Sequence, residues 1–169
     1  MIDVNSQIVA CIPNLRRYAR GLTRNHETAD DLVQDTLERA WNRITLWQRR
    51  GDLRAWLFSI LHNLFIDSAR SQRASPEEPM RDEAHSAPAR ASQSDMLEVR
   101  DLDRALLRLP PDQREVLLLV AVEQMTYEQI AAVLGIPPGT VMSRLSRART
   151  QLRAILEGRD RVSSIRMVK

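Results

Sequence analysis

The sequence is poor in cysteine, glycine, lysine and aromatic residues, and it holds no long apolar run. A single cysteine, Cys11, excludes an internal disulfide, and with no second Cys and no nearby His it excludes a cysteine-centred metal site. On an apolar helix face it is expected to be a small core residue. Five glycines mean few tight turns, hence mostly helix. The longest apolar run, Val116 to Val122, is far short of the roughly 20 residues a membrane span requires. Met1-Ile2-Asp3 also lacks the basic-then-apolar start of a signal peptide, so the expectation is a cytoplasmic protein with no membrane insertion. Convergent catalytic groups are missing too. His26, His62 and His85 are not at metal-ligand spacing, no Gly-rich loop follows a strand, and no nucleophile elbow is present. Neither enzymatic activity nor a metal or cofactor is expected.

What is present is the balance of a globular protein, 43% hydrophobic and 28% charged, in 169 residues that suit one domain or two small ones. The net charge of +3 conceals a pattern: 1–73 carries +3, 74–98 carries −4, 99–157 carries +1 and 158–169 carries +3. Of the 25 cationic residues only Lys169 is lysine. Arginine suits phosphate and base-edge contacts, and a GC-rich genome explains its dominance equally well.

Composition changes after Arg73. From Ala74 to Ala89 the chain is rich in Pro, Ser, Ala and acid, with almost nothing large and apolar to bury, which reads as a flexible linker. Two helical units remain, 1–73 and 99–157, followed by a short basic tail at 158–169, for which a disordered end is preferred to a nucleic-acid contact. In the first unit Leu15, Ala19 and Leu22 follow Pro13, placed in a first turn where its missing N–H costs nothing. Thr28 caps a second helix with the stripe Leu32, Val33, Leu37, Ala40, Trp41 and Ile44. Its opposite face is acidic: Asp31, Gln34, Asp35 and Glu38. Asp52 caps a third helix, apolar through Leu53, Trp56, Leu57, Ile60, Leu61, Leu64 and Phe65 and basic at its end, Arg70 to Arg73.

In the second unit Val99, Leu102, Leu106 and Leu109 make an amphipathic helix that stops at Pro110-Pro111, where the next begins. Thr126 then opens a short helix that ends at Gly135-Ile136-Pro137-Pro138-Gly139, and a long helix follows from Thr140. Helix, Gly-containing turn and helix read as a helix-turn-helix. Val141, Leu145, Ala148, Leu152 and Ile155 point inward, which turns Ser143, Arg147 and Thr150 outward with Arg144, Arg149 and Arg153 on the flanks. Between Thr140 and Leu156 there are four Arg and no acid. That surface suits a major-groove reader, and a helical hairpin with a solvated Arg face has the same periodicity. The carboxylates of Asp30, Asp31, Asp35 and Glu38 lack His or Cys companions, so a solvated or partner-facing surface is preferred to a metal site.

Four segments resemble the sigma-70 family of bacterial transcription initiation factors, specifically its two-domain extracytoplasmic-function (ECF) group. They are Ala29 to Trp41 (ADDLVQDTLERAW), Leu53 to Leu57 with Asn63 to Asp67, Leu109 to Val116 (LPPDQREV), and Gly139 to Arg149 (GTVMSRLSRAR). The resemblance implies an all-α fold of two small helical domains joined by a flexible linker, the C-terminal one containing the helix-turn-helix. Residues 1–73 would be the region 2 domain, 74–98 the linker, 99–157 the region 4 domain and 158–169 the basic tail.

It also implies partners and roles. Asp31, Gln34, Asp35 and Glu38 would face the clamp helices of the largest subunit of core RNA polymerase, whose flap is a further partner. Asn63, with Arg70 and Arg73, would capture and hold promoter DNA at the minus-ten element, an amide being able to donate to and accept from a base edge. Thr140, Ser143, Arg144, Arg147 and Arg149 would contact the minus-thirty-five element. Met142 stands where many members have Lys or Arg, and suits an apolar contact to a thymine methyl. The family further implies an anti-sigma factor as partner. A linker of 25 residues would average about 25–30 Å and reach roughly 80 Å, letting the units sit on separate elements. Its acidity suits either mimicry of nucleic acid or a passive tether. Two other readings stand beside this one: a sigma-like protein that sequesters an anti-sigma factor, and a helix-turn-helix regulator acting without polymerase.

Overall fold

A computed structural model describes residues 3–23, 25–47, 51–74 and 93–166. Among them are seven helices and no strand: α1 (Val4–Leu22), α2 (His26–Trp47), α3 (Leu53–Ala74), α4 (Gln93–Leu107), α5 (Pro111–Ala121), α6 (Tyr127–Leu134) and α7 (Pro138–Arg166). The fold is all-α, as the periodicity requires.

Several ends differ from the sequence expectation. Helix α1 begins at Val4, so Pro13 lies inside it, on the exposed side where a lost backbone hydrogen bond faces water. Asn25, not Thr28, caps α2, its Oδ1 accepting from Glu27 N at 2.7 Å and Thr28 N at 3.3 Å. Helix α7 starts at Pro138, two residues before Thr140, because a proline is pre-set for a first turn. Helix α4 starts at Gln93, inside the stretch read as linker, and α7 continues through the basic tail to Arg166. The rest of that linker, 75–92, lies outside the described residues.

Other local rules hold. Asp52 Oδ1 accepts from Arg54 N at 2.9 Å and so caps α3. Pro111 opens α5. Thr126 and Gln129 form a complete capping box on α6, and Gly135, at φ +64°, closes it in the left-handed conformation.

In the first unit α1, α2 and α3 pack around Ile8, Leu15, Tyr18, Leu32, Leu57, Phe58 and Leu61, with Tyr18 and Phe58 rings 5.2 Å apart. In the second, α5, α6 and α7 enclose Val116, Leu119, Ile130, Val141 and Leu145. Cys11 is half-buried against this core and not fully inside it. The units do not stand apart. Their apolar residues form one contiguous cluster, and α1 approaches α5 so closely that a Cβ on Gly21 would lie 2.7 Å from Leu118 Cδ1.

Candidate nucleic-acid and polymerase interfaces

The outer face of α2 presents Asp31, Gln34, Asp35 and Glu38, all exposed. Their spacing of three, four and seven residues sets them on one side of the helix. Their helix is held from beneath by buried Ala29, Leu32, Val33, Thr36 and Ala40. Thr36 satisfies its hydroxyl within the helix, donating to Leu32 O at 2.7 Å.

Beside this face lies a concavity of about 490 Å³ lined by Arg16, Asp30, Val33, Gln34, Leu37, Glu38 and Trp41. Trp41, expected in the buried stripe, is 46% exposed and forms one wall. Arg16 has no place in the helical spacing of this face. It comes from α1 and enters the acidic face only through the α1–α2 packing, so no spacing rule along the chain could have found it.

Asn63 and Arg70 are both exposed on α3. Seven residues apart, they share a face about 10 Å apart along the axis. Arg73 belongs to α3, but its side chain lies outside the described part of the structure. The opposite end of α3 carries stacked Trp47 and Trp56, with centroids 6.0 Å apart, joining the end of α2 to the start of α3.

On α7 the inward stripe is as expected, with Val141, Leu145 and Ala148 buried. Thr140, Ser143 and Arg147 follow one line. Ser143 Oγ donates to Thr140 O at 3.1 Å, and exposed Arg147 folds back on Ser143 O at 3.2 Å and Oγ at 3.3 Å. Arg149 is exposed on an adjacent line. With Met142, Ser146, Thr150, Arg153 and Tyr127 it borders a shallow depression of about 340 Å³. Tyr127 reaches this face from α6 and was not singled out by sequence. Met142 is 51% exposed, in keeping with an outward position. Arg144 is the exception in the set. It turns toward α5, where Asp112 Oδ2 lies 3.4 Å from its Nε, and is only partly exposed.

Among the described residues, no cluster of His, Cys, Asp and Glu could hold a metal ion, and no helix is long and apolar enough to cross a membrane. The sites are open, polar helix faces. They can recognise a charged helix or a duplex.

Comparison with known proteins gives a consistent result. Residues 8–62 match the family model described as the Sigma2 domain of PhyR, and 100–152 match Sigma-70, region 4. The chain is 41% identical over 154 residues to the ECF RNA polymerase sigma factor EcfG of Rhodopseudomonas palustris, covering 91% of this chain and 85% of that one. Among solved structures it is similar to the sigma factor RpoE in complex with the anti-sigma factor NepR from Bartonella quintana. That match has TM-score 0.80 and 35% identity, and covers 90% of this chain and 96% of the other. The fold is also shared with the anti-anti-sigma factor PhyR complexed with NepR from the same organism, at TM-score 0.60 and 19% identity, over 89% of this chain and 49% of that one.

Proposed function

Because the chain belongs to the ECF group of sigma-70 RNA polymerase sigma factors, we propose that it binds core RNA polymerase through the acidic face of α2 and reads promoter DNA with α3 and α7. Residues 1–73 act as the region 2 domain and 99–157 as the region 4 domain, and the chain between α3 and α4 links them. Asp31, Gln34, Asp35 and Glu38 dock on the polymerase clamp, with Arg16 and Trp41 extending that surface. Asn63 takes a minus-ten base that has left the stack, a step costing a few kcal/mol and offset by contacts around the flipped base. Arg70 and Arg73 hold phosphates there. Thr140, Ser143, Arg147 and Arg149 face the minus-thirty-five element, with Arg144 beside them. The factor supplies recognition, and the chemistry of transcription belongs to the polymerase. An anti-sigma factor controls it by covering these faces, a reading supported by the similarity to a sigma factor solved in complex with an anti-sigma factor.

The observation that carries this reading is the pairing of two faces of opposite character in one chain. One is a carboxylate surface on α2, the other an exposed Arg-bearing face on the second helix of a helix-turn-helix. A DNA regulator acting alone has no use for the first.

The match of residues 8–62 to the PhyR model favours a second reading, a mimic that sequesters an anti-sigma factor. Against it, such a mimic has no need of outward Arg147 and Arg149. Promoter-specific run-off transcription with purified core polymerase separates the two: a sigma factor initiates, whereas a mimic does not.

A further inference from the structure

Met142 is the fifth residue of α7 and keeps 51% of its surface exposed. Its neighbours show where it points. Val141 is fully buried and Ser143 is exposed, so at 100° per residue Met142 falls between the core stripe and the line of Ser143 and Arg147. Ser146, Arg149 and Arg153 share its angle to within about 40°, and all are exposed. Helix α7 therefore has two outward lines about 100° apart, one through Ser143 and Arg147, the other through Met142, Ser146, Arg149 and Arg153.

The second line borders the shallow depression of about 340 Å³, with Leu145 as its buried floor and Tyr127 as its wall from α6. Around the rim, Tyr127, Ser146, Arg149, Thr150 and Arg153 all carry groups that donate to phosphate oxygens. Met142 is the rim residue that does not. Its thioether is no donor and at most a weak acceptor.

We propose that Met142 reads the 5-methyl group of a thymine in the minus-thirty-five element, while Arg149 and Arg153 hold phosphates on the same side of the groove. Because this contact lies within the minus-thirty-five site, it rests on the sigma-factor reading above.

Charge identifies the class of partner. No acid occurs between Thr140 and Leu156, and the Met142 line carries two guanidinium groups. Such a line favours a polyanion, whereas an apolar protein surface laid on Met142 would leave those cations without counter-charge. Position identifies the part of the duplex. In a helix-turn-helix the first residues of the second helix meet base edges in the major groove, and contacts to the backbone surround them. Met142 stands at that end of α7, and Arg149 and Arg153 lie about 10 and 16 Å further along the axis.

Groove chemistry then leaves one target. Of the groups by which the major groove distinguishes base pairs, all are donors or acceptors except the thymine methyl. An apolar side chain at a base edge is complementary to that group alone. Methionine suits the task because its three rotatable bonds let the terminal methyl find a neighbour without a rigid fit. Ser143, next in the chain and on the other line, offers a hydroxyl at the same depth. Adjacent residues thus read different chemistry, one a methyl and the other a polar edge.

The test uses holoenzyme assembled from the full chain and purified core polymerase. Duplexes that it enriches from a pool randomised across the minus-thirty-five region are bound again by fluorescence anisotropy, each thymine of the enriched element being replaced in turn by deoxyuridine, which lacks only the methyl. For the natural chain one such replacement should weaken binding about fourfold, the value of one buried methylene-sized group. M142A should bind the thymine duplex about fourfold more weakly and no longer distinguish thymine from deoxyuridine at that position. M142L, still apolar and of similar volume, should keep most of the distinction. R153A should weaken all sequences alike, lower the salt slope by about one and leave the thymine-to-deoxyuridine ratio unchanged. Both residues are exposed, so none of these changes disturbs the core.

An enriched element in which no thymine is sensitive, or an M142A factor that keeps the sensitivity, overturns the contact. Loss of core binding by M142A with its DNA preference intact would set Met142 against the polymerase and overturn it equally. A holoenzyme that enriches no element at all would sink the DNA-reading assignment itself, an outcome distinct from an enriched element indifferent to the methyl.

Discussion

Arg144 Nε lies 3.4 Å from Asp112 Oδ2, tying α7 back to the first turn of α5. Both groups are partly exposed, so the pair is worth only about 0–1 kcal/mol of stability. Its effect is on geometry, since it holds one guanidinium to the side of the face carried by Ser143 and Arg147. D112N should therefore leave the urea midpoint nearly unchanged and release Arg144 to any nearby phosphate. The expected result is tighter binding to unrelated duplex and a smaller ratio between promoter and unrelated sequence, measured by fluorescence anisotropy. An unchanged ratio would show that Arg144 takes no part in DNA contact.

Arg147 is an exposed cation on the line from Thr140 through Ser143, and among the described residues its hydrogen bonds go to Ser143 in its own helix. R147A should thus cost little stability. A base-edge contact would be worth about 1–3 kcal/mol, lost at one promoter position only, whereas a phosphate contact would weaken all sequences alike and lower the salt slope by about one. Titrations on single-position variants of the minus-thirty-five element at two salt concentrations distinguish these outcomes. Core polymerase binding should be unaffected, and a parallel loss of core binding would contradict the division of labour between the two units.

Asp35 sits on the α2 face with Asp31, Gln34 and Glu38, exposed over a buried floor. D35R reverses one charge without touching the core, so stability should change by no more than about 0.5 kcal/mol. Affinity for core polymerase should fall by an order of magnitude or more, a like-charge penalty across an interface being several kcal/mol. Duplex binding by α7 should persist. Co-purification with core and duplex anisotropy, run on the same preparation, provide both readings.

The legible parts of this protein are those governed by neighbours in sequence. The helix-turn-helix could be placed closely because Thr126, Gln129 and Gly135 act within four residues of the bonds they make. Errors of two or three residues occurred where rival caps stood close together, as with Asn25 and Thr28 before α2. The acidic face of α2 was visible as a helical spacing, but Arg16 in the same concavity was not, because it arrives from another helix. Glu115 and Glu123 show the limit most clearly. Their partners are His62, Tyr18, Arg54 and Arg17, 53 to 106 positions away, and nothing in the local pattern marks these acids as buried. The length of the linker showed only that the two units could sit on separate elements, whereas these long-range contacts pack them together.

Two glycines at the ends of the helix-turn-helix turn separate backbone strain from packing. Gly135 has φ +64°, and a Cβ built there would meet nothing within 4 Å. Any cost of G135A is thus conformational, about 1–2 kcal/mol for an L-residue held in the left-handed region. Gly139 lies in the first turn of α7, also with nothing within 4 Å of its Cβ direction, but without a positive φ. There alanine restricts the unfolded chain and suits a helix, so G139A should stabilise by about 0.4–1 kcal/mol. Urea denaturation of both variants should move the midpoints in opposite directions at similar slopes. If both fell, Gly139 would require an explanation other than its backbone. If neither moved, the turn between α6 and α7 would not be part of the cooperative unit.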